Sequence, residues 1–458
     1  MSAAPPPVIV GAGPAGVRAA SVLVAAGLRP IVIDEAPASG GQIYRRAPAG
    51  FMRGAAVYGS EAAKATAIHR TFDSLVDRID YRPQTTVWNL RPGRLYTVRD
   101  GVCDELTFGD IVLATGAMDR IVPIPGWTIP GVYALGGAQI SLKAQGCVVG
   151  ARTAFVGTGP LLWLVAYQYL KAGGTVAAVV DTTPFATKAR QLFGLLRGGK
   201  TFINGLRYVA TLRLKGVRIT EGAIPVTIVG STHVTALRWR EASGREGSVD
   251  CDAVAIGFGL KPESQLADLA GVAMRWNDGQ RVWEAARDRD GRTAVEGVYL
   301  AGDGSAIAGA DAAEIDGALA AYALLADRRV TVPEAAVAEL RTRRARLTRF
   351  REALDAAFPF PAALAAATAD DTLVCRCEAV NAGELRAAAR DLDAREVNRA
   401  KAFSRVGMGR CQGRVCGPVA VEILAAALGM PTQALGALRA QPPIKPLPMT
   451  AAVRLAAE

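Results

Sequence analysis

Histidine is almost missing from this chain. Its 458 residues carry two, His69 and His233, and neither stands in a recognisable motif. A histidine acid or base for substrate chemistry is therefore not expected. No window holds about eighteen uninterrupted apolar residues, so no integral membrane segment is expected. The N-terminus lacks a charged stretch followed by an apolar core and cleavage site, so no signal peptide is expected. Seven cysteines without a secretory signal fit a reducing, cytoplasmic setting. They read as metal ligands or core residues rather than disulfides. The net charge is +11, yet no basic tail concentrates it. Nucleic acid is accordingly not an expected partner. The densest basic run, Arg341 to Arg351, has Leu340, Leu347, Phe350, Leu354 and Phe358 at helical spacing. It reads as the solvated face of an amphipathic helix, with docking on an acidic partner protein as the rival reading.

Half the residues are hydrophobic and 21% are charged, which is globular composition. At about 150 residues per domain, the length predicts two or three domains. The clearest pattern comes first. Val8-Ile9-Val10 reads as a strand and runs into Gly11-Ala12-Gly13-Pro14-Ala15-Gly16. A helix is expected from Val17 to Ala26, then a strand Pro30 to Ile33 that ends in Asp34-Glu35. This is the order of a dinucleotide-binding βαβ unit. Gly11 permits the turn, Gly13 lets backbone approach a pyrophosphate, and Gly16 lets helix and strand pack closely. The pyrophosphate sits on the helix N-terminus. Asp34, eighteen residues after Gly16, is placed to bond a ribose hydroxyl.

Ser39 to Arg46 follows, with Gly41 and Gln42 suited to a loop that passes close to a flavin ring. Alternation over residues 81–108 predicts a small β insertion. Asp110 to Leu113 is a buried strand that ends in the turn Ala114-Thr115-Gly116-Ala117. Val298 to Ala301 has the same character and ends in Gly302-Asp303-Gly304. Small residues at these strand ends let a cofactor lie against backbone, and Asp303 can accept from a sugar or ribityl hydroxyl. Gly309 to Leu325 reads as an Ala-rich helix.

A second βαβ begins at Thr153, with Gly157-Thr158-Gly159 in its turn. Its third glycine position carries Leu162, which crowds a pyrophosphate. The next strand, Val176 to Val180, leads into Asp181 with no basic residue in the adjoining turn for a 2′-phosphate. Residues 185–214 then look helical. Three readings stay open at this site: another nucleotide, a working NAD(P)H site, or an empty structural domain.

GAGPAG, ATGA and AGDG together resemble the signature of FAD-containing oxidoreductases with two dinucleotide-binding domains. The resemblance runs from residue 8 to about 325. It implies an α/β, glutathione-reductase-like fold, with the second nucleotide domain inserted into a split FAD domain. The disulfide reductases of that superfamily need a paired redox cysteine over the flavin, and none follows Asp34 here. Cys103, Cys147 and Cys251 are isolated and read as core residues.

From about residue 370 the character changes. Cys375-Arg376-Cys377 is separated by thirty-three residues from Cys411-Gln412-Gly413-Arg414-Val415-Cys416. Four thiolates on two loops suit a [2Fe–2S] rhomb with two ligands per iron. Gly407, Gly409, Gly413 and Gly417 keep the loops thin and expose N–H groups to the sulfurs. Structural zinc on the same thiolates is the rival, and four unligated thiols the third reading. Asn381 and Glu384 form a plausible capping pair. Residues 372–428 resemble the helical iron–sulfur module of bacterioferritin-associated ferredoxins, which implies Cys375, Cys377, Cys411 and Cys416 as ligands. The last pair is wider here than that family's usual two-residue spacing.

GGQIYR, GFGLKPES and GMGRCQGRVCGP complete a resemblance to the FAD-containing α-type subunits of bacterial dye-linked amino-acid dehydrogenases. Opine oxidases, D-hydroxyproline dehydrogenase, hydrogen cyanide synthase and related proline dehydrogenases belong to that group. The resemblance implies a hetero-oligomer with a D-amino-acid-oxidase-like flavoprotein β subunit, and in some members a small [2Fe–2S] γ subunit. Such partners would also supply any membrane association. It implies an oxidoreductase that acts on CH–NH or CH–NH2 donors through that partner, with this chain relaying electrons to a quinone or other acceptor. The proline dehydrogenase relatives carry ATP in the second domain, which Gly157 and Gly159 would contact. The rival functions are a stand-alone NAD(P)H-dependent reductase and a nucleotide-holding scaffold.

The expected layout is a FAD domain at 1–125 and 291–330, with a degenerate second nucleotide domain at 126–290. A helical linker at 331–369, a [2Fe–2S] module at 370–435 and a Pro-rich tail at 436–458 complete it.

Overall fold

The computed structural model describes residues 5–47 and 54–451. The last seven residues of the expected Pro-rich tail lie outside the described residues.

The aliphatic triplet Val8–Val10 is buried at the centre of a five-stranded parallel sheet. The strand order is Val298–Leu300, Ile111–Leu113, Val8–Val10, Ile31–Ile33, Asp80–Arg82. Runs with no polar residue suit strands covered on both faces. Val10 lies level with Ile33 and with Leu113, and Leu113 with Leu300. The Gly-rich loop, the Thr115-Gly116 turn and the Gly302-Asp303-Gly304 turn therefore meet at one carboxyl edge of the sheet. That edge is where open parallel sheets bind ligands.

Two helices, Pro14–Ala25 and Ala310–Asp327, pack against each other beside this sheet. The second is apolar nearly all round, so it is buried. Its Gly317 lies against Ala15, where a Cβ would stand 2.0 Å from the Ala15 carbonyl oxygen. The predicted β insertion forms as a three-stranded antiparallel sheet, Thr86–Arg91, Arg94–Arg99 and Val102–Thr107.

A second five-stranded parallel sheet follows, in the order Arg218–Glu221, Thr175–Asp181, Arg152–Thr158, Ala253–Phe258, Val132–Ala134. The chain passes between the two sheets through an antiparallel strand pair, Ala117–Asp119 with Leu260–Pro262. Asp119 sits at this crossing and accepts from the Gly136 N–H at 2.9 Å. Burial pushes its carboxyl up from 3.8 to about 6, against the pull of the Gly136 and Gly137 N–H groups. A raised carboxyl stabilises the fold most below its unfolded value, and that contribution is lost as pH rises through the folded one. Wild type should thus lose of the order of 1–3 kcal/mol between pH 4 and pH 7 from this group. In Asp119→Asn that part of the pH dependence should vanish from thermal melts.

The segment 185–214 is helical, but in three pieces rather than one: Phe185–Arg190, Leu192–Leu196 and Lys200–Leu214. The first break falls at Gln191, and glycines set the second. Gly199 has φ +49°, and Gly198 lies against the Phe350 ring, which a Cβ there would meet at 2.3 Å.

The basic run forms within the helix Glu334–Ala357, as the spacing predicts. Its arginines are not all solvated, which corrects the expectation. Arg341 pairs with Asp290 and Arg344 with the fully buried Asp316, while Arg351 pairs with Asp355.

The C-terminal module holds helices Ala382–Arg390, Val397–Ser404 and Gly417–Leu428. Asn381 and Glu384 make the reciprocal capping box. Asn381→Ala should cost about 1 kcal/mol, read as a lower unfolding midpoint. The module shares one hydrophobic core with the second sheet: Trp127 and Val254 belong to the same buried cluster as Val374 and Ile423. The Trp127 indole also donates to the Leu373 carbonyl at 2.7 Å. The tail is docked rather than loose. Ile444 is buried and bonded to the Trp88 carbonyl, and Lys445 pairs with Glu35 at 2.7 Å.

Candidate cofactor sites and their junction

Gly16 is packed so closely that a Cβ would stand 1.8 Å from the Gly11 carbonyl oxygen. Helix and turn are locked together only because that atom is missing. Gly13 caps the helix with no side-chain bond, and the first turn holds no acid. The helix N–H groups therefore remain open to an anion. Gly41 faces Gly13 across the cleft, and a Cβ on Gly41 would come 2.9 Å from the Gly13 Cα. These two glycines leave backbone walls of the kind a pyrophosphate needs. The Gly304 position abuts Thr115 and Gly116, so the second and third turns touch.

Asp34 follows the second strand, as the sequence expects. Its carboxylate accepts from Ala12 N–H at 2.5 Å and Ala36 N–H at 2.7 Å, and so braces the Gly-rich loop. Burial raises it, against those two bonds. Glu35 is exposed and held by Lys445. Asp303 accepts from Ala308 and Gly309 N–H through one oxygen, at 2.8 and 2.9 Å. The Tyr81 hydroxyl, close enough to Asp34 for its charge to be felt, is buried without a partner among the described residues. Gln42 lies at the rim, bonded to Arg45. The glycine walls, the uncapped helix and this orphaned hydroxyl fit a dinucleotide.

The four C-terminal cysteines come together. Cys416 bonds Cys375 and Cys411, and Cys377 bonds Cys411. The Cys416 contact, then N–H groups of Gly407, Glu378 and Cys377, bring Cys375 down to about 6 against its burial. Cys411 is lowered by Cys416 and by the N–H groups of Val415 and Gly413. Thiolates are the ligating form, and glycine N–H groups reach the sulfurs as expected. No group of three or more Cys, His, Asp or Glu is placed to hold a metal ion among the described residues. The thiols are instead joined pairwise in a row. Gly409 makes the site compact, since a Cβ there would stand 2.2 Å from the Cys377 Cβ.

The two sites are joined directly. The Gln412 carbonyl, between Cys411 and Cys416, accepts from the Gln265 amide at 2.8 Å. Arg414, in the same spacer, pairs with Glu263 at 2.8 Å, both side chains nearly buried. Burial pushes Glu263 up, but Arg414 and Lys261 outweigh it, so the net direction is down. Glu263 in turn donates its N–H to the Gly116 carbonyl at 3.0 Å, and its carbonyl accepts from the Thr115 hydroxyl at 2.5 Å. The cysteine loop is thus two links from the flavin-edge turn. Arg414 also donates to the Ile444 carbonyl, which ties the tail into the same knot. None of these contacts was legible in sequence; the unusual four-residue spacer was the only signal.

At the second βαβ, Gly159 caps the helix Pro160–Lys171 with no side-chain bond. Gly157 lies against Gly257, where a Cβ would be 1.7 Å from its carbonyl oxygen. Leu162 is fully buried in the core of this domain. Asp181, the acid that an NAD site aims at ribose, is fully buried and taken. Lys188 binds it at 2.9 Å and binds Glu221 as well, over the rings of Trp163 and Phe358. This internal cation was missed because it lies a helix away from the strand it serves.

Two adjoining sites of this kind, one for a dinucleotide and one with four thiols, define a flavin-dependent, iron–sulfur oxidoreductase. Residues 6–323 match the pyridine nucleotide-disulphide oxidoreductase family, and residues 373–426 the BFD-like [2Fe-2S] binding domain. The A-type subunit of opine oxidase from Agrobacterium tumefaciens is 35% identical over 96% of this chain and 89% of its own length. The HcnB subunit of hydrogen cyanide synthase from Pseudomonas aeruginosa is 31% identical over 99% of each chain. In fold the chain is similar to L-proline dehydrogenase from P. horikoshii, at TM-score 0.70 and 18% identity, over 98% of this chain and 79% of that one. The chain belongs to the pyridine nucleotide-disulphide oxidoreductase family, among the FAD- and [2Fe–2S]-containing subunits of the opine oxidase and hydrogen cyanide synthase type. No described helix is long and apolar enough to cross a membrane.

Proposed function

We propose that this chain is the electron-transfer subunit of a hetero-oligomeric amino-acid dehydrogenase, with an opine, hydroxyproline, proline or glycine-type substrate. It takes reducing equivalents from a partner flavoprotein subunit, which oxidises the CH–NH or CH–NH2 donor, and delivers them to a quinone or other acceptor. The observation that carries this reading is the junction, where Gln412 and Arg414 hold the cysteine loop against the turn of Thr115 and Gly116. When bound, FAD supplies two-electron and one-electron exchange and the cluster one-electron exchange.

The residues supply position and exclusion. Gly11, Ala12, Gly13, Pro14, Ala15 and Gly16, with Gly41, would cradle the pyrophosphate, and Thr115, Gly116, Gly302 and Asp303 would line the flavin end. Asp34 would hold the loop in shape. Cys375, Cys377, Cys411 and Cys416 would be the cluster ligands. On this reading no side chain of this chain need act as acid or base on the amino substrate. In the second domain, Gly157 and Gly159 leave the helix N-terminus open for a phosphate, while Lys188 occupies Asp181. That supports a nucleotide such as ATP, held without use of the ribose acid, over NAD(P)H.

The test is anaerobic reduction of the purified hetero-oligomer and of the isolated chain by an amino-acid or opine substrate. The reading expects the flavin and cluster of this chain to be reduced only in the hetero-oligomer. Reduction of the isolated chain by substrate would place the amine chemistry here and sink it.

A further inference from the structure

The second domain carries exposed apolar residues that no described residue covers. Phe193 and Leu214 are 84% and 87% exposed, and Phe185, Leu196, Ile203 and Leu206 are each more than half exposed. On the helix Lys200–Leu214, positions 203, 206 and 214 fall on one side by helical spacing. The other side, with Leu212 and Val209, packs into the domain core. The exposed side therefore interleaves apolar residues with Lys200 and Arg207, unlike the polar face of a solvated surface helix. A patch of this kind on a soluble chain marks an interaction site.

Charge says what kind. Residues 182–220 contain eight lysines and arginines and no aspartate or glutamate. Lys188, Arg213 and Arg218 pair with carboxylates outside that run. Arg190, Arg197, Lys200, Arg207 and Lys215 make no ion pair among the described residues. A second copy of this chain would bring the same unbroken positive charge, so self-association through this face is opposed.

Position says what for. The Tyr208 hydroxyl, on the same helix, lies 3.0 Å from Ser60. Neighbouring Glu61 accepts from the Tyr44 hydroxyl at 3.3 Å, and Tyr44 belongs to the loop of Gly41 and Gln42. The helix that bears the patch is thus tied, through Tyr208 on its other side, to the loop at the flavin site.

We infer that this face docks the partner subunit that donates electrons, through a protein surface apolar at its centre and rimmed by aspartate and glutamate. The inference rests on the subunit reading above. An anionic bilayer would match the charge, but the bond from this helix to the segment beside the flavin-site loop favours a protein that must reach that site.

The test compares hydrogen exchange of the native hetero-oligomer with that of the isolated full chain. The expected result is at least tenfold slower exchange across residues 192–214 in the hetero-oligomer. The combined variant Phe193→Asp, Leu206→Asp, Leu214→Asp should keep its flavin absorbance and elute alone. Because such changes can disturb folding, Arg197→Glu, Lys200→Glu, Arg207→Glu is the second variant. It alters only exposed charges and should weaken assembly at least tenfold. A hetero-oligomer with unchanged exchange here, or one that survives both variants, overturns the inference and leaves the relay reading standing. So does sedimentation of the isolated chain with phosphatidylglycerol vesicles, lost in these variants, or a homodimer lost in them. Absence of any second chain overturns both.

Discussion

Cys416→Ser should yield a chain that keeps its flavin spectrum and shows no [2Fe–2S] signal by EPR or by visible absorbance. Cys416 is almost wholly buried and is the thiol that touches both Cys375 and Cys411. Its removal therefore breaks the row in the middle. Serine is nearly isosteric but does not ionise in the same range, so it supplies no thiolate. The flavin edge should be spared, because none of its turns contains or contacts this side chain. Cys147→Ser is the matched control: that thiol is exposed and belongs to neither site, and its loss should change neither spectrum. A full cluster signal in Cys416→Ser would remove it from the ligand set.

Arg414→Met should destabilise the chain by about 3 kcal/mol, because it leaves the Glu263 carboxylate buried without its hydrogen-bonded cation, with only the charge of Lys261 nearby. The side chains of Arg414 and Glu263 are only 6% and 11% exposed, so solvent offers little screening. Adding Glu263→Met should recover part of that loss, since the carboxylate is then no longer orphaned although Lys261 loses its counter-charge. The double variant separates stability from coupling. With Gln412 alone left to hold the loop, passage of electrons between flavin and cluster should slow by at least about tenfold, with both cofactors still bound. Rapid-mixing reduction followed at flavin and cluster wavelengths reads this. An unchanged rate in the double variant would make the ion pair structural only.

The flavin half of the fold was legible because its constraints are local. Glycines at fixed spacing, three-residue aliphatic strands and an Ala-rich helix each point to one conformation, and the strand register brings their ends level. The capping box at Asn381 and the amphipathic linker helix were legible for the same reason. What escaped is tertiary. Residues 185–214 carry helical composition, but the second break lies at a glycine packed against Phe350 of a distant helix. Lys188 closes onto Asp181 from a helix whose placement no local rule sets. Two arginines of the linker, Arg341 and Arg344, found Asp290 and Asp316 instead of water. The tail, judged by its prolines, is pinned by Ile444, Lys445 and Leu438, whose contacts lie in the flavin domain and on the cluster glycines. Asp34 was correctly placed in sequence, yet its short side chain turns back to the loop it follows.

The measurement that bears most directly on the relay account is an anaerobic titration of the purified chain, first with NADH and then with dithionite, followed by absorbance and EPR. The account predicts that NADH leaves the flavin oxidised, because Lys188 holds the ribose acid and Leu162 fills the third glycine position. Dithionite should then bleach the flavin and bring up a reduced [2Fe–2S] signal. Rapid bleaching by micromolar NADH, or zinc in place of a cluster signal, would contradict it.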